Sequence, residues 1–422
     1  MKRALVLLAA CASADVTPPV SPGGAAAPDV ASGGALVSEA SPAEATDVGD
    51  PGDLSDPGEV GELGELDGRS EVEGRGGAAE ALPDGPEVWL KGSTHVHARA
   101  SGDSGEPNGN VIAWYEDHHY DFIVLTDHNR VSELASASDT RGRITLRDPH
   151  AGLIVFSGIE LTHNPIGCLP VGDPSQNCRI HVNLIGPTAR PGGRLEWAER
   201  RSHARLDMYR AALNAQTTLG GLAQVNHPQW LWGMTPELLA ELARRGMRLV
   251  EIANSAFSKW NAGDASHLST EALWDATLAR GATIYGTASD DAHDYHGHAR
   301  WPPGGGWVVV HARRDPRAIL EALAAGHFYS SSGVVLDHAE VDGDELVVAV
   351  APGQAGKYTI DFIENGQHVA TVASKVARRA VPATGYLRAV VTRDDGKRAW
   401  VQPIRKSPSE LDHHGTKTSR RE

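Results

Sequence analysis

The stretch VWLKGSTHVH at residues 88–97 decides the fold, because it joins a short apolar run to two histidines. In a β-strand, side chains at positions i and i+2 point to the same face. His95 and His97 are therefore expected to aim at one point from the end of the first strand. Asp291 and His293, in the motif SDDAH, have the same spacing near the end of the pattern.

Further apolar runs follow at regular intervals. They are DFIVLT (121–126), LIVFSGI (153–159), RIHVNLI (179–185), LAQVN (222–226), RLVEIA (248–253), TIYGTAS (283–289) and WVVV (307–310). Helical patterns lie between them at 111–118, 203–215, 236–245 and 270–280, and Asp315-Pro316 opens another. Apolar runs separated by helices predict a parallel sheet or barrel. Seven or eight such units fit a closed barrel better than an open sheet.

Five more side chains that favour metals accompany these runs. They are His128, Glu160 and His227, each directly after a run, His181 early in its run, and Asp103 in SGDS. The position of His181 would fit better if its strand began before Arg179. Because active sites of barrel enzymes lie at the C-terminal strand ends, all nine side chains are expected to converge on a multinuclear metal site. A lone histidine at a strand end is more often structural, but nine together favour metal binding.

At the motifs HxH, TDH, GIE, HVN, NHP and SDDAH the chain resembles the PHP (polymerase and histidinol phosphatase) family. The resemblance covers residues 88–334, and the stretch SGDSGEPNGNVIAWYEDHHYDFIVLTDHN looks most like the branch that contains carbaryl hydrolase-type metallohydrolases. The family implies an α/β fold, a distorted seven-stranded (β/α)7 barrel, and a metal-dependent phosphoesterase activity.

The resemblance also implies how the ligands divide among two to three ions. The first ion would be held by His95, His97, Glu160 and Asp291. The second would be held by Glu160, His181 and His227, with Glu160 as the bridge, and the third by Asp103, His128 and His293. Some family members have histidine at the position of Asp103, which leaves the identity of the third ion open. Glu160, Asp291 and His128 are the residues expected to act in catalysis.

Imidazole and carboxylate ligands together do not discriminate among zinc, manganese and iron. Two ions about 3.5–4 Å apart can share a hydroxide that attacks phosphorus in line. We therefore expect hydrolysis of phosphate mono- or diesters, with a small-molecule ester as substrate. The alternatives are a carboxylic ester or carbamate hydrolase with the same metals, and a non-catalytic ligand-binding lipoprotein of the cell envelope.

Several polar and aromatic residues lie near the predicted ligands in the sequence and are candidates for supporting roles. Four of them either orient a neighbouring imidazole or cap a turn; these are Asp127, Asn129, Asn226 and Asp290. Three arginines are candidate substrate-binding phosphate clamps, namely Arg99, Arg130 and Arg179. Four tryptophans in the loops after strands either line a pocket or pack in the core; these are Trp230, Trp232, Trp260 and Trp301.

The N-terminal segment 1–11 resembles a lipoprotein signal peptide. Lys2 and Arg3 precede an apolar run too short to span a bilayer, and LAAC ending at Cys11 resembles a lipobox, so Cys11 is expected to be lipidated. Secretion with cleavage after Ala10 or Ala14 is the alternative. A lipid-anchored location in the cell envelope follows, and the outer membrane is favoured because Ala12, not Asp, follows the cysteine.

The formal charge of −15 is concentrated in one segment. Residues 12–86 contain 16 acidic side chains and two arginines, and they lack Phe, Trp and Tyr. Such a segment cannot bury enough apolar area to fold, which predicts a disordered acidic tether. The remainder is nearly neutral, so its charge does not indicate a nucleic-acid-binding surface.

Cys168 and Cys178 would pair as a disulfide in an oxidising compartment, with free thiols or metal ligation as alternatives.

The sequence pattern predicts two folded domains. The barrel is predicted over 87–334. Alternating apolar residues with turns at Asp-Gly and Asn-Gly predict a small antiparallel, sandwich-like β domain over 335–405. The polar segment 406–422 is predicted to be a disordered tail.

Overall fold

The computed structural model describes residues 85–132, 152–296 and 301–406. The predicted leader with Cys11 lies outside the described residues, as do nearly all of the predicted tether at 12–86 and of the tail at 406–422. Within the described ranges, no helix combines the length and the apolar character that a membrane crossing would require.

Each apolar run of the predicted barrel forms a strand. In the described part of this region the strands are β1 (Val88–Val96), β2 (Phe122–Leu125), β3 (Ile154–His163), β4 (Ile180–Ile185), β5 (Leu222–Val225), β6 (Leu249–Asn254), β7 (Tyr285–Ser289) and β8 (Trp307–Ala312). Their side chains are largely buried, as expected for strands covered on both faces.

All but the last of the described helices lie between these strands, and the last one follows β8. They are α1 (Asn108–Asp117), α2 (Arg205–Leu219), α3 (Pro236–Arg244), α4 (Ser258–Ala262), α5 (Thr270–Leu278) and α6 (Pro316–Ala325). The predicted start of α6 is confirmed, because the Asp315 carboxylate accepts the backbone N–H groups of Arg317 and Ala318 at 3.0 Å each. The short helix α4 has no counterpart among the predicted helices.

The strands form one large mixed sheet that is rich in parallel pairs. β1, β2 and β3 pair in parallel, and so do β5, β6 and β7. β4 runs antiparallel to both β3 and β5, and β8 runs antiparallel to β1. The expectation of a purely parallel arrangement is therefore wrong at β4 and at β8. The connection from β3 to β4 contains a disulfide loop instead of a crossover helix, so the chain turns back directly.

The reversal of β4 explains the position of His181. The strand begins at Ile180, so it does not start before Arg179. Because β4 is antiparallel, its first residues lie at the edge where the neighbouring strands end. His181, early in its strand, thus lies beside the C-terminal ends of β3 and β5.

The two ends of the barrel region approach each other. In the hydrogen-bonded order of the sheet, β7 is the terminal strand. An isolated parallel bridge joins Val96 to Ala292, and the backbone N–H of His97 donates to the Ala292 carbonyl at 3.0 Å. The end of β1 therefore lies beside the segment that follows β7. Closure into a seven-stranded barrel stays a prediction.

The C-terminal strands are antiparallel, as the alternation predicts. They are β9 (Phe328–Ser331), β10 (Leu336–Asp342), β11 (Glu345–Val350), β12 (Tyr358–Glu364), β13 (Gln367–Val372), β14 (Val376–Ala380), β15 (Leu387–Arg393) and β16 (Arg398–Val401). The large sheet continues from β8 through β9, β16, β15, β12 and β13, while β10, β11 and β14 form a separate sheet. Asn365 and Gly366 both have positive φ angles, of 52° and 80°, which suits the predicted tight turn between β12 and β13.

A buried ion cluster connects β15 to helix α5. The guanidinium of Arg388, 1% exposed, donates to Asp275 Oδ1 at 2.7 Å and to Glu271 Oε1 at 3.0 Å. Tyr386 donates to the same Asp275 oxygen at 2.8 Å. The C-terminal strands are therefore tied to the barrel region by paired charges as well as by apolar packing.

Candidate metal centre

The nine predicted ligands lie together at one edge of the large sheet. Three sets of donor atoms each fall within 4.8 Å of one another. The first set is His95, His97 and Glu160, the second is Glu160, His181 and His227, and the third is His97, Asp103, His128 and His293. Asp291 completes the nine, since its Oδ1 lies 3.2 Å from the Nε2 atoms of both His95 and His97.

The first set has the spacing of atoms that share one ion. Ligands bonded at about 2.0–2.2 Å in a tetrahedron lie about 3.3–3.6 Å apart. His95 Nε2 lies 3.4 Å from Glu160 Oε1, and the distances to Asp291 are 3.2 Å. His97 Nε2 is 3.8 Å from Glu160 Oε2. These distances fit a cation among the four side chains.

Two buried nitrogen atoms support that interpretation. His95 Nε2 and His97 Nε2 are inaccessible to solvent and have no hydrogen-bond partner among the described residues. A buried polar atom without a partner costs free energy, and such atoms are rare in native proteins. A bound cation would satisfy both nitrogens at once. The donor set therefore fits a metal ion.

Glu160 lies between the sets. Its Oε1 is 3.0 Å from His181 Nδ1 and 3.6 Å from His227 Nε2, while its Oε2 is 2.6 Å from His128 Nδ1. Asn226 donates to Oε1 at 2.7 Å and fixes the orientation of the carboxylate. One carboxylate thus has an oxygen directed at each side, which is the arrangement a bridging ligand needs.

The third set is the most open. Asp103 Oδ2 lies 3.0 Å from His128 Nε2 and 3.1 Å from His293 Nε2. His293 Nδ1 donates to the Asp291 carbonyl at 2.9 Å, which leaves Nε2 as the ligating nitrogen. The side chains of His128 and Asp103 are 20% and 13% exposed, whereas His95 and His97 are fully buried. The third set is therefore more accessible to solvent than the first.

The carboxylates of the cluster stay ionised. Burial raises the pKa of Glu160, but neighbouring imidazoles, chiefly those of His181 and His128, outweigh it and hold the pKa well below its usual value. At Asp291 and Asp103, neighbouring histidines likewise outweigh the effect of burial and lower the pKa of each carboxyl. Three carboxylate anions therefore lie in a largely buried site, where they attract cations.

Two imidazoles of the cluster are neutral. Burial lowers the pKa of His97 to about 3 and that of His181 to about 4. At neutral pH each ring therefore keeps a lone pair available for coordination. The imidazole of His95 differs, since burial lowers its pKa but the carboxylates of Asp291, Glu251 and Glu160 raise it well above the usual value. Metal binding at His95 would displace that proton.

Glu251 is a central residue of the site that the motif pattern does not identify. It is fully buried on β6, and its Oε1 accepts from His95 Nδ1 at 2.8 Å. Its Oε2 accepts the backbone N–H of His227 at 2.6 Å and Asn254 Nδ2 at 2.9 Å. Ser289 also donates to it. The available signal was a carboxylate inside the apolar run RLVEIA, where a charge is costly unless paired.

Three more side chains orient ligand imidazoles and were not among the predicted site residues. Ser101 Oγ lies 2.9 Å from His97 Nδ1, and Thr162 Oγ1 lies 2.7 Å from His128 Nδ1. Asn164 Oδ1 is 2.8 Å from His181 Nε2. These contacts depend on loop packing, which neighbouring positions in sequence do not reveal.

The four predicted orienting residues have different roles. Asn226 contacts Glu160 instead of an imidazole. Asp127 accepts from the Ala98 backbone N–H at 2.8 Å and from the Ser132 hydroxyl.

Asn129 and Asp290 also act mainly on backbone. Asn129 pairs with the backbone of Thr162, at 3.0 and 2.9 Å, and so positions the residue that contacts His128. Asp290 accepts the N–H groups of Gly305 and Gly306 at 2.8 and 2.9 Å. These carboxylates and amides hold the loops that carry the ligands.

The three candidate phosphate clamps are dispersed around the site. Arg99 donates to the Gly105 carbonyl at 3.2 and 3.3 Å, within the loop that carries Asp103. Arg130 lines a cavity of about 300 Å³ together with Arg190. The guanidinium carbon of Arg179 lies 4.7 Å from the centre of the Trp230 ring.

Backbone strain is concentrated in the ligand loops. Asn129, His227 and Asp291 have positive φ angles of 54°, 24° and 53°. Left-handed backbone is uncommon for residues other than glycine and persists where the surroundings enforce it. Here the Glu251 carboxylate holds the N–H of His227, and Asn254 Nδ2 contacts Asp291 Oδ2 at 3.2 Å.

The loop between β3 and β4 is closed by a disulfide. Cys168 and Cys178 are bonded, with their Cα atoms 6.2 Å apart. The predicted pairing therefore agrees with the structure, and the two cysteines are not metal ligands. The loop borders the site directly, since Asn164 and His181 flank it.

Comparisons with known proteins give a limited result. No family model matches the chain, and a search of curated proteins finds no match. One similar solved structure is a two-domain protein from Bacteroides vulgatus containing a predicted PHP-like metal-dependent phosphoesterase. It is 16% identical, with 76% of this chain and 100% of that chain covered and a TM-score of 0.40. At this TM-score the similarity carries no argument about function.

Proposed function

We propose that the protein is a metal-dependent phosphoesterase of the PHP type, which hydrolyses phosphate mono- or diesters. The observation that carries the proposal is the convergence of nine imidazoles and carboxylates, in the motif order of that family. Two of the buried nitrogens, His95 Nε2 and His97 Nε2, lack any other partner in the described chain. The proposed fold is correspondingly the closed seven-stranded barrel.

Divalent ions held there would supply an activated water and positive charge for the phosphoryl oxygens. The side chains of the protein provide the geometry. Glu160 directs one oxygen to each side of the cluster, held by Asn226 at 2.7 Å. Asp291 lies 3.2 Å from both His95 and His97. His128, in the most exposed set, is oriented by Thr162, whose Oγ1 lies 2.7 Å from His128 Nδ1.

The test compares two matched substitutions in the full-length protein, Asp291→Asn and Asp294→Asn. Asp294 lies in the same loop but accepts only the His296 backbone N–H at 3.0 Å among its described contacts, so its variant is the control. Metal content is measured by elemental analysis, and hydrolysis is measured with 4-nitrophenyl phosphate, bis(4-nitrophenyl) phosphate and 4-nitrophenyl acetate.

We expect two or three ions per chain in the wild type, and phosphoester hydrolysis that falls at least about a hundredfold in Asp291→Asn, since outer residues alone cost about 10–100-fold. An undiminished rate and metal content in that variant would refute the proposed site. Activity confined to 4-nitrophenyl acetate would instead support a hydrolase of carbon esters.

The location outside the cytoplasm is also a proposal, supported by the lipobox-like LAAC ending at Cys11. Cys11→Ser is expected to move the protein from the membrane fraction to the soluble fraction. An unchanged distribution between the two fractions would contradict lipid anchoring.

A further inference from the structure

Two aromatic rings border the metal cluster on the side of His181 and His227. The centre of the Phe257 ring lies 4.4 Å from that of His227, and Trp230 lies 5.1 Å from His227. Trp230 is also 5.6 Å from His181 and 4.7 Å from Phe257. Both residues are half-buried, so part of each remains exposed to solvent. We call Trp230 and Phe257 the aromatic shelf.

The turn that carries Trp230 has a strained backbone. Leu231 and Trp232, which follow Trp230, have φ angles of 58° and 56°. Two successive left-handed residues other than glycine are costly, and such strain is found mostly at functional sites. The strain indicates that the surrounding structure enforces the position of Trp230.

The enforcing structure is the disulfide loop. Arg205, 2% exposed, donates from Nε to the Pro170 carbonyl at 2.8 Å. A β-carbon at Gly172 would collide with the Leu231 carbonyl, and one at Gly233 would collide with the Arg205 guanidinium. The loop closed by the disulfide therefore packs against the turn of the shelf with no space for side chains at these glycines.

A positive charge lies on the shelf. Arg179 follows Cys178 directly, and its Nη1 donates to the Cys178 carbonyl at 2.9 Å. Its guanidinium carbon lies 4.7 Å from the centre of the Trp230 ring. The rim of the site thus combines flat aromatic surface with a planar cation, both of which bind aromatic rings face-on or edge-on.

We propose that the aromatic shelf binds a planar aromatic ring in the alcohol part of the ester substrate. The proposal rests on the proposed phosphoesterase function, which it makes more specific. The phosphoryl group would lie against the ligands, and the ring would lie on Trp230 and Phe257. The ring can belong to a simple aryl group or to a nucleobase.

Benzyl phosphate and cyclohexylmethyl phosphate form a matched pair, because their leaving alcohols are similar in size and acidity and only one ring is planar. We expect wild-type kcat/KM to favour benzyl phosphate by about threefold to tenfold, as aromatic pairing predicts. Trp230→Leu should remove the preference. Trp260→Leu should keep it, since Trp260 contacts Trp232, with ring centres 4.7 Å apart, instead of a ligand.

The same pair as non-hydrolysable phosphonates, titrated by calorimetry, gives a readout without turnover. If neither phosphate is hydrolysed, the phosphoesterase proposal fails, while phosphonate selectivity still decides the role of the shelf. Metal content is measured in each variant, and Phe257→Leu replaces Trp230→Leu if the latter loses its metal. Equal binding of the two phosphonates by the wild type, or a preference that survives these variants, would overturn the proposal. Adenosine 5′-phosphate, compared with benzyl phosphate, distinguishes a nucleobase from a simple aryl group.

Discussion

At the scale of single residues, the cluster is organised by buried carboxylates that do not all bind metal directly. The Glu251 carboxylate accepts a hydrogen bond from the ring of His95 and another from the backbone N–H of His227. One side chain therefore fixes a residue of the first set and a residue of the second. Residues of this kind determine which ring nitrogen faces the metal.

Glu251→Gln is predicted to weaken metal binding by about 10–100-fold, the usual effect of removing an outer hydrogen-bonding partner. The glutamine amide lacks the negative charge that holds the His95 proton. Only its oxygen can accept a hydrogen bond, because its other end is an NH2 donor. Affinity is measured by competition with a chelator of known strength.

Glu340→Gln is the matched control, because Glu340 also pairs with a histidine, His311 Nδ1 at 2.5 Å, far from the cluster in the fold. That variant should bind metal as the wild type does. Wild-type affinity in Glu251→Gln would show that Glu251 does not position the ligands.

The sequence predicts which side chains converge, but it misses several residues that support them. All nine predicted ligand side chains lie in the cluster, because the HxH and SDDAH spacings depend only on strand periodicity and chain order. Glu251 and Thr162 were not predicted, since their roles depend on which loops pack together. The orientation of β4 was also missed, because an apolar run is the same in either direction.

At the scale of secondary structure, charge pairs between elements contribute to stability. Burial raises the pKa of Glu271 on α5, but Arg388 and Arg398 outweigh it and lower the pKa. A carboxyl whose folded pKa is depressed stabilises the protein above its unfolded pKa, about 4.3, and loses that contribution as the pH falls. The cluster between β15 and α5 is therefore acid-sensitive.

Glu271→Gln is predicted to lower the free energy of unfolding by about 1.5–3 kcal/mol at pH 7, the range for hydrogen bonds to charged groups. The difference from the wild type should shrink progressively as the pH falls below the unfolded pKa of about 4.3, because the wild-type carboxyl then takes up a proton and loses its contribution. Urea unfolding of both proteins at several pH values measures this difference in the free energy of unfolding.

Glu241→Gln serves as the control for that change. Glu241 forms ion pairs with Arg244 and Arg245 on the surface, and exposed pairs contribute little. A difference between Glu271→Gln and the wild type that stays constant over the whole pH range would contradict the prediction.

At the scale of the whole molecule, the candidate metal centre draws its predicted ligands from most strands of the barrel region. His95 belongs to β1, Glu160 to β3 and His181 to β4, while His227 and Asp291 follow β5 and β7. Ions bound there would hold these strands together. Metal binding should therefore stabilise the fold as a whole.

Removal of metal by a chelator is predicted to lower the melting temperature on the order of 10 °C, if the ions are present at about a thousand times their dissociation constant. Differential scanning calorimetry with and without chelator measures the shift. Asp291→Asn should respond much less. Identical melting curves for loaded and stripped wild-type protein would argue against a centre that links the strands.

The spread of the ligands from His95 to His293 also limits when metal can be acquired. A chain that is still incomplete lacks Asp291 and His293, so it cannot assemble the full donor set. Since mixed imidazole and carboxylate ligands discriminate weakly among divalent ions, availability decides which one binds. For the proposed metal centre, the compartment in which folding is completed, rather than the one in which synthesis occurs, would therefore influence which ion is acquired.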